Sequence, residues 1–203
     1  MLEIRNFCCG GFSTNTYCLF NPSTRNAIVI DAPFPCESVK ELIKKSGLNL
    51  LYIVLTHGHI DHIEGIKEFS VPFYIHYQDK EFLLNPSLNL SSYLLSPFCI
   101  DREPHLLKDN DTLLLDSYKI KVLHTPGHTP GSISLKIENY LFSGDTLFFD
   151  SIGRTDLPLS SGEELINSIK EKIFSLDDST IIFPGHGPTT SVEREKKHNP
   201  FIS

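Results

Sequence analysis

Four side chains of metal-binding type fall within six positions in Thr56-His57-Gly58-His59-Ile60-Asp61-His62, directly after the apolar run Leu50 to Leu55. In an extended segment leaving a strand, residues two apart project to the same side, so His57 and His59 can grip one ion. Gly58, which has no Cβ, lets the turn between them tighten. Asp61 and His62 fall where the chain bends into a helix and can face a second position beside the first. Three later segments place a ligand-type side chain after a glycine at the end of a strand: Gly127-His128, Gly144-Asp145 and Gly185-His186. One histidine or aspartate in such a place is usually a turn residue or a satisfied hydrogen-bond partner. Together, His57, His59, Asp61, His62, His128, Asp145 and His186 make a set. Imidazole and carboxylate suit zinc, iron or manganese, and a catalytic metal needs about three protein ligands with one position left for water. Of the other histidines, His76, His105, His124 and His198 are assigned to packing or surface, with support of His128, four residues further on, as the alternative for His124.

The elements that must position these residues follow from periodicity and punctuation. Thr16 to Phe20 and Ala27 to Ile30 read as a hairpin around Asn21-Pro22-Ser23-Thr24. Val39, Leu42 and Ile43 have helical spacing within Ser38 to Lys45, and Gly47 is the expected stop. A strand over Leu50 to Thr56, a helix over Ile63 to Phe69, a strand over Pro72 to His76 and a short helix over Asp79 to Leu84 follow. The segment 85–104 is rich in Ser, Asn and Pro yet carries Leu90, Tyr93, Leu94, Leu95 and Phe98, and a plain surface connection is the first expectation for it. Strands are expected over Thr112 to Leu115, Tyr118 to Leu123, Ile133 to Ile137, Tyr140 to Phe142 and Thr180 to Phe183. Ser161-x-x-Glu164 is a capping box opening a helix to about Leu176. The alternating charges of Glu193 to Lys197 read as a solvated end.

Composition narrows the class of function. With 18 Lys plus Arg against 25 Asp plus Glu, the formal charge of −7 repels polyanions, which argues against a nucleic-acid partner. No apolar run approaches the roughly 20 residues that cross a bilayer, and no secretory signal is visible, so a cytoplasmic protein without a membrane partner is expected. Five cysteines are an odd number for a disulfide framework, adjacent Cys8 and Cys9 cannot close an unstrained bridge, and all five are read as free thiols. Residues 1–203 are expected to form one domain. The sequence assigns no oligomeric state.

His-x-His-x-Asp-His followed by a separate His, Asp and His resembles the metallo-β-lactamase superfamily, from the Asn15-Thr16-Tyr17 strand through Asp31 to His186. The resemblance implies an α/β (α+β) fold, a four-layer αββα sandwich of two mixed β-sheets flanked by helices, with two divalent metal ions along one edge. Zinc is foremost, with iron or manganese as alternatives. It assigns His57, His59 and His128 to the first ion, Asp61, His62 and His186 to the second, and Asp145 as the bridge. The segments Gly11-Phe12-Ser13-Thr14-Asn15-Thr16-Tyr17, Thr125-Pro126-Gly127-His128-Thr129-Pro130-Gly131 and Ser151-Ile152-Gly153-Arg154-Thr155-Asp156 look like the glyoxalase II (hydroxyacylglutathione hydrolase) branch, in its short single-domain form without the C-terminal helical domain that grips glutathione. That branch implies hydrolysis of S-lactoylglutathione or another small-molecule acyl thioester by a metal-bound water whose pKa falls to about 7. Asp61 and Asp145 would be the catalytic carboxylates, with Asp61 orienting the nucleophile. Arg154 would meet a substrate carboxylate, and Tyr93 and Phe98 would rim the entrance. An iron-dependent persulfide dioxygenase of the same superfamily shares the Gly153-Arg154-Thr155-Asp156 segment and is the alternative.

Overall fold

The computed structural model describes residues 1–94 and 96–202, so that Leu95 of the 85–104 segment lies outside the described residues. One sheet runs in chain order through β1 (Glu3–Cys9), β2 (Thr14–Phe20), β3 (Asn26–Ile30), β4 (Asn49–Val54), β5 (Phe73–His76) and β6 (His105–Leu107). Its first three strands are antiparallel, and β3 to β6 are parallel. The second sheet uses β7 (Thr112–Leu115), β8 (Tyr118–His124), β9 (Ile133–Ile137) and β10 (Tyr140–Gly144). A hairpin of β11 (Leu147–Phe148) and β12 (Ser151–Ile152) stands apart, and β13 (Ile181–Pro184) and β14 (Thr190–Ser191) complete the sheet. Its order is β14-β13-β10-β9-β8-β7, and β10 with β13 is its parallel pair. Both sheets are therefore mixed.

Side-chain alternation explains the layers. Tyr17, Leu19, Ile28, Ile30 and Val54 meet Ile120, Val122, Leu135 and Phe142 in a core between the sheets. Their neighbours Cys18, Val29, Ile53 and Leu55 face the other way, onto Val39 of α1 (Glu37–Ser46) and Ile60 and Ile63 of α2 (Ile60–Ile63). On the far side of the second sheet, Leu123, Leu141 and Ile182 pack against Leu165 of α3 (Gly162–Ser168) and Val192 of α4 (Val192–His198). The order is helices, sheet, sheet, helices, as the resemblance implies. No helix among the described residues is long and apolar enough to cross a membrane.

Local signals held where the chemistry was local. Gly47, at φ 58°, ends α1 in the left-handed conformation. Ser161 Oγ accepts from the Glu164 amide to open α3, and wider helical turns continue it through Ile173. Three expectations need correction. Cys9 and Cys36 are joined in a disulfide, with Cα atoms 5.2 Å apart, because Gly10 N donates to Pro35 O and brings the end of β1 against the entry to α1; Cys8, Cys18 and Cys99 are free. The charged tail is α4 rather than a solvated end. Its Glu195 is fully buried, hydrogen-bonded to Thr190 and Asn199 and paired with Arg194, which forks onto Asp150 at 2.6 and 2.9 Å. Phe98 is not at the entrance: it packs beside the helical face of the first sheet with Lys67 over its ring.

Candidate metal centre

All seven ligand-type residues meet at the seam where the strands of the two sheets end. His57, His59, Asp61 and His62 come after β4 in the first sheet. His128, Asp145 and His186 come from the ends of β8, β10 and β13 in the second. Thr14 forms a bridge with His186, Asn15 N donates to Gly185 O at 2.7 Å, and Tyr17 OH donates to Pro184 O at 2.6 Å, so β2 carries the His186 loop. Gly58 has a different purpose from the one expected: a Cβ there would lie 2.4 Å from Cβ of Phe82, and it is close packing rather than a tight turn that requires glycine.

Potential ligand atoms fall into three groups, each within 4.8 Å: His57, His59 and His128; Asp61, His62 and His186; and Asp145 with His57 and His62, one residue from each of the other groups. Asp145 stands 3.4 Å from His62, 3.6 Å from His128 and 3.5 Å from His186. This is the position a bridging carboxylate needs.

Hydrogen bonds on the outer side of the rings fix which nitrogen faces inward. Nδ1 of His128 lies 2.9 Å from the Arg154 carbonyl, which can only accept, so this nitrogen carries the proton and Nε2 is left with its lone pair. Thr56 Oγ1 donates to Asp31 and is 3.2 Å from Nδ1 of His57. This leaves Nε2 of His57, buried and without a hydrogen-bond partner. Nδ1 of His62 lies 2.8 Å from Oδ2 of Asp31. Inside the cluster, Nδ1 of His59 is 2.9 Å from Nε2 of His128, and Nε2 of His59, like that of His57, is buried without a hydrogen-bond partner. The donor set and its orphaned nitrogens fit divalent metals of the zinc, iron and manganese type.

Charge is divided unevenly across the cluster. Burial, aided by neighbouring histidines, pushes the His57 pKa far down and that of His59 down to about 3, which keeps both neutral as ligands must be. Burial acts in the same sense on His62, but Asp31, Asp61 and Asp145 outweigh it and raise its pKa well above the usual histidine value. Asp61 and Asp145 are lowered despite their burial, each by surrounding histidines.

A cavity of about 690 Å³ opens over the cluster, and its wall is mostly apolar, including Phe12, Leu90, Leu94, Phe148 and Leu157. Tyr93 and Arg154 line it, and Leu90, Tyr93 and Leu94 place part of the 85–104 segment in a rim rather than in a plain connection. Arg154 is not free there: Nε and Nη2 each lie 2.9 Å from Asp156. His124 is not against His128; it stacks on His76 with ring centroids 4.1 Å apart and donates to Pro130 O. Two supports were given no role in the sequence. Asp31 follows β3 as Asp145 follows β10, a signal that was available; Asp79, buried under both ligand loops, had no local signal at all.

Residues 9–186 match the family model of the metallo-beta-lactamase superfamily. A probable metallo-hydrolase, YqgX, of Bacillus subtilis is 36% identical over 202 residues, covering 96% of this chain and 94% of the relative. Hydroxyacylglutathione hydrolase GloC of Haemophilus influenzae is 36% identical over 190 residues, 88% of each chain. Among solved structures, the BLEG-1 B3 metallo-beta-lactamase superposes with a TM-score of 0.93 at 38% identity, covering 99% of this chain and 100% of that one. With its two mixed sheets, its seven clustered ligand-type residues and these relatives, the chain belongs to the metallo-beta-lactamase superfamily of metallo-hydrolases.

Proposed function

We propose that this protein is a metal-dependent hydrolase that cleaves S-lactoylglutathione or a related acyl thioester. The observation that carries the reading is Asp145, standing between two complete three-residue ligand groups at the floor of an open cavity. The likeness to a hydroxyacylglutathione hydrolase over most of the chain supports the substrate class. Two divalent cations held by these groups would supply acidity to a water and positive charge to a developing oxyanion. The protein's own groups do the rest. Asp61, held by Thr14 Oγ1 at 3.1 Å and facing His186 at 3.2 Å, is placed to accept a hydrogen bond from a nucleophilic water and so to orient it. Asp145 holds the two ligand groups in one frame. Apolar side chains of the rim take the acyl group and its carrier and reduce the water around the reacting carbonyl, while Arg154 offers a charged hydrogen bond at the mouth.

Two other chemistries share the scaffold. The Gly153-Arg154-Thr155-Asp156 segment keeps an iron-dependent persulfide dioxygenase in view, and the 38% identity to the BLEG-1 B3 metallo-beta-lactamase keeps β-lactam hydrolysis. The test is one assay with three arms on protein purified without added metal, accompanied by metal analysis. Thioester cleavage with two equivalents of bound metal is the expected result. Oxygen consumption with glutathione persulfide, one iron and no thioester cleavage would overturn it in favour of the dioxygenase. Cleavage of a cephalosporin alone would favour the lactamase.

A further inference from the structure

Asp79 lies in the helical turn Tyr77–Leu83 that follows β5 and is fully buried, yet it carries a carboxylate that faces no cation among the described residues. Its partners are three donors from two loops. Oδ2 accepts from Gly58 N at 2.8 Å and from Thr129 Oγ1 at 2.7 Å, and Oδ1 accepts from Gly131 N at 2.7 Å. Gly58 lies between His57 and His59, and Thr129 follows His128. One side chain therefore ties together the loops that provide the His57, His59 and His128 group, although those loops leave different sheets. Phe82, on the same turn, packs against Gly58 and lies 5.9 Å from the His59 ring, so the turn as a whole forms the outer wall of that group. The Asp61, His62 and His186 group has other supports: Asp31 on His62, Thr14 on Asp61 and Asn15 on the His186 loop.

We propose that Asp79 is a positioning residue for the first metal position alone, the buried clamp that sets His57 and His59 against His128, in contrast to Asp31, which reaches His62 directly and His57 through Thr56. The inference rests on the two-metal reading of the site. An amide in place of the carboxylate keeps the shape but turns an NH2 group toward at least one of three converging donors, which cannot all be accepted by one oxygen. Loss of such an outer partner typically weakens metal binding about 10- to 100-fold.

The experiment is a competition titration of the full chain, stripped and reloaded with Zn2+ against a chromophoric chelator. Unaltered protein is expected to take two equivalents, and fewer than two would defeat the two-metal reading before any variant is made. Asp79→Asn is expected to weaken one equivalent at least tenfold and to leave the other within about threefold. In a His128→Ala background, where the first position is already lost, Asp79→Asn should change the remaining affinity little; in a His186→Ala background it should keep its full effect. Equal weakening of both equivalents, or an undiminished effect in the His128→Ala background, overturns the proposal and leaves Asp79 a general stabiliser of the fold. Should Asp79→Asn fail to fold, Thr129→Val removes one of the three donors and carries the same comparison, with the same two outcomes against it.

Discussion

Oδ2 of Asp31 lies 2.8 Å from Nδ1 of His62, joining the residue after β3 to the helical turn that holds the second ligand group. The same carboxylate accepts from the Thr56 amide at 2.7 Å, and Thr56 in turn supports His57. Asp31→Ala is expected to free the His62 ring and to weaken metal binding about 10- to 100-fold, with a larger loss than Asp31→Asn, which can still accept from His62. Zinc affinity measured against a chelator checks the order. Equal affinity in the alanine variant and the unaltered protein would count against this role.

Gly185 separates β13 from His186, and a Cβ on it would stand 2.1 Å from Oδ1 of Asp145 and 2.9 Å from Cε1 of His62. Gly185→Ala is expected to displace the carboxylate by the order of an ångström and to cost about 100-fold in kcat. Steady-state kinetics of the metal-loaded variant test this, with circular dichroism to show that the fold persists.

Acid should destabilise the metal-free protein. His57 and His59 stay neutral when folded, the latter down to about pH 3, and buried His76 does so down to about pH 4. In the unfolded chain all three take up protons below about pH 6.5. Their stabilisation is present above that pH and is lost as pH falls. Asp79, raised by burial to about 6, acts in the opposite sense, since between pH 6 and about 3.8 the folded state holds its proton more tightly. His62 and His186 are raised, so their contribution is complete below about 6.5 and is lost only as pH rises through their folded values. Three groups against one give a net uptake of about two protons on unfolding near pH 5, and the urea midpoint of chelator-treated protein should fall steadily from pH 6.5 to 4. A flat profile would contradict the assignment of neutral histidines.

Arg154 and Asp156 form an exposed pair at the mouth, with side chains about two-thirds accessible. A pair this exposed is weak, and a substrate carboxylate can displace Asp156 from it. With S-lactoylglutathione, Arg154→Ala is expected to raise KM about threefold to tenfold with kcat little changed, and Asp156→Ala to lower KM modestly. Identical KM values in both variants would remove Arg154 from the substrate contacts.

Legibility in the sequence followed the range of the interactions. His57, His59, Asp61 and His62 were readable because their spacing is local, and His128, Asp145 and His186 because each repeats one pattern at the end of a strand. The hairpin of β2 and β3 and the stop of α1 at Gly47 were equally local. By contrast, β1 is a half-exposed edge strand in which Arg5 and Asn6, on opposite faces, are both exposed, so its alternation was blurred. Asp79 meets its donors 21, 50 and 52 positions away, and Cys9 meets Cys36 across 27. Glu195 looked like a tail charge until Asp150, 45 residues earlier, was brought beside it through Arg194. Such pairings exist only after the sheets have assembled.

The seam on which the ligands lie has a mechanical consequence. Each three-residue group draws from both sheets, His57 and His59 with His128, and Asp61 and His62 with His186. A cation at either position is a rivet through the sandwich, and an ion that binds only the folded chain adds about 1.4 kcal/mol of stability for every tenfold excess over its Kd. The lifetime of the protein should therefore rise and fall with the free metal around it, which makes the fold itself a gauge of metal supply.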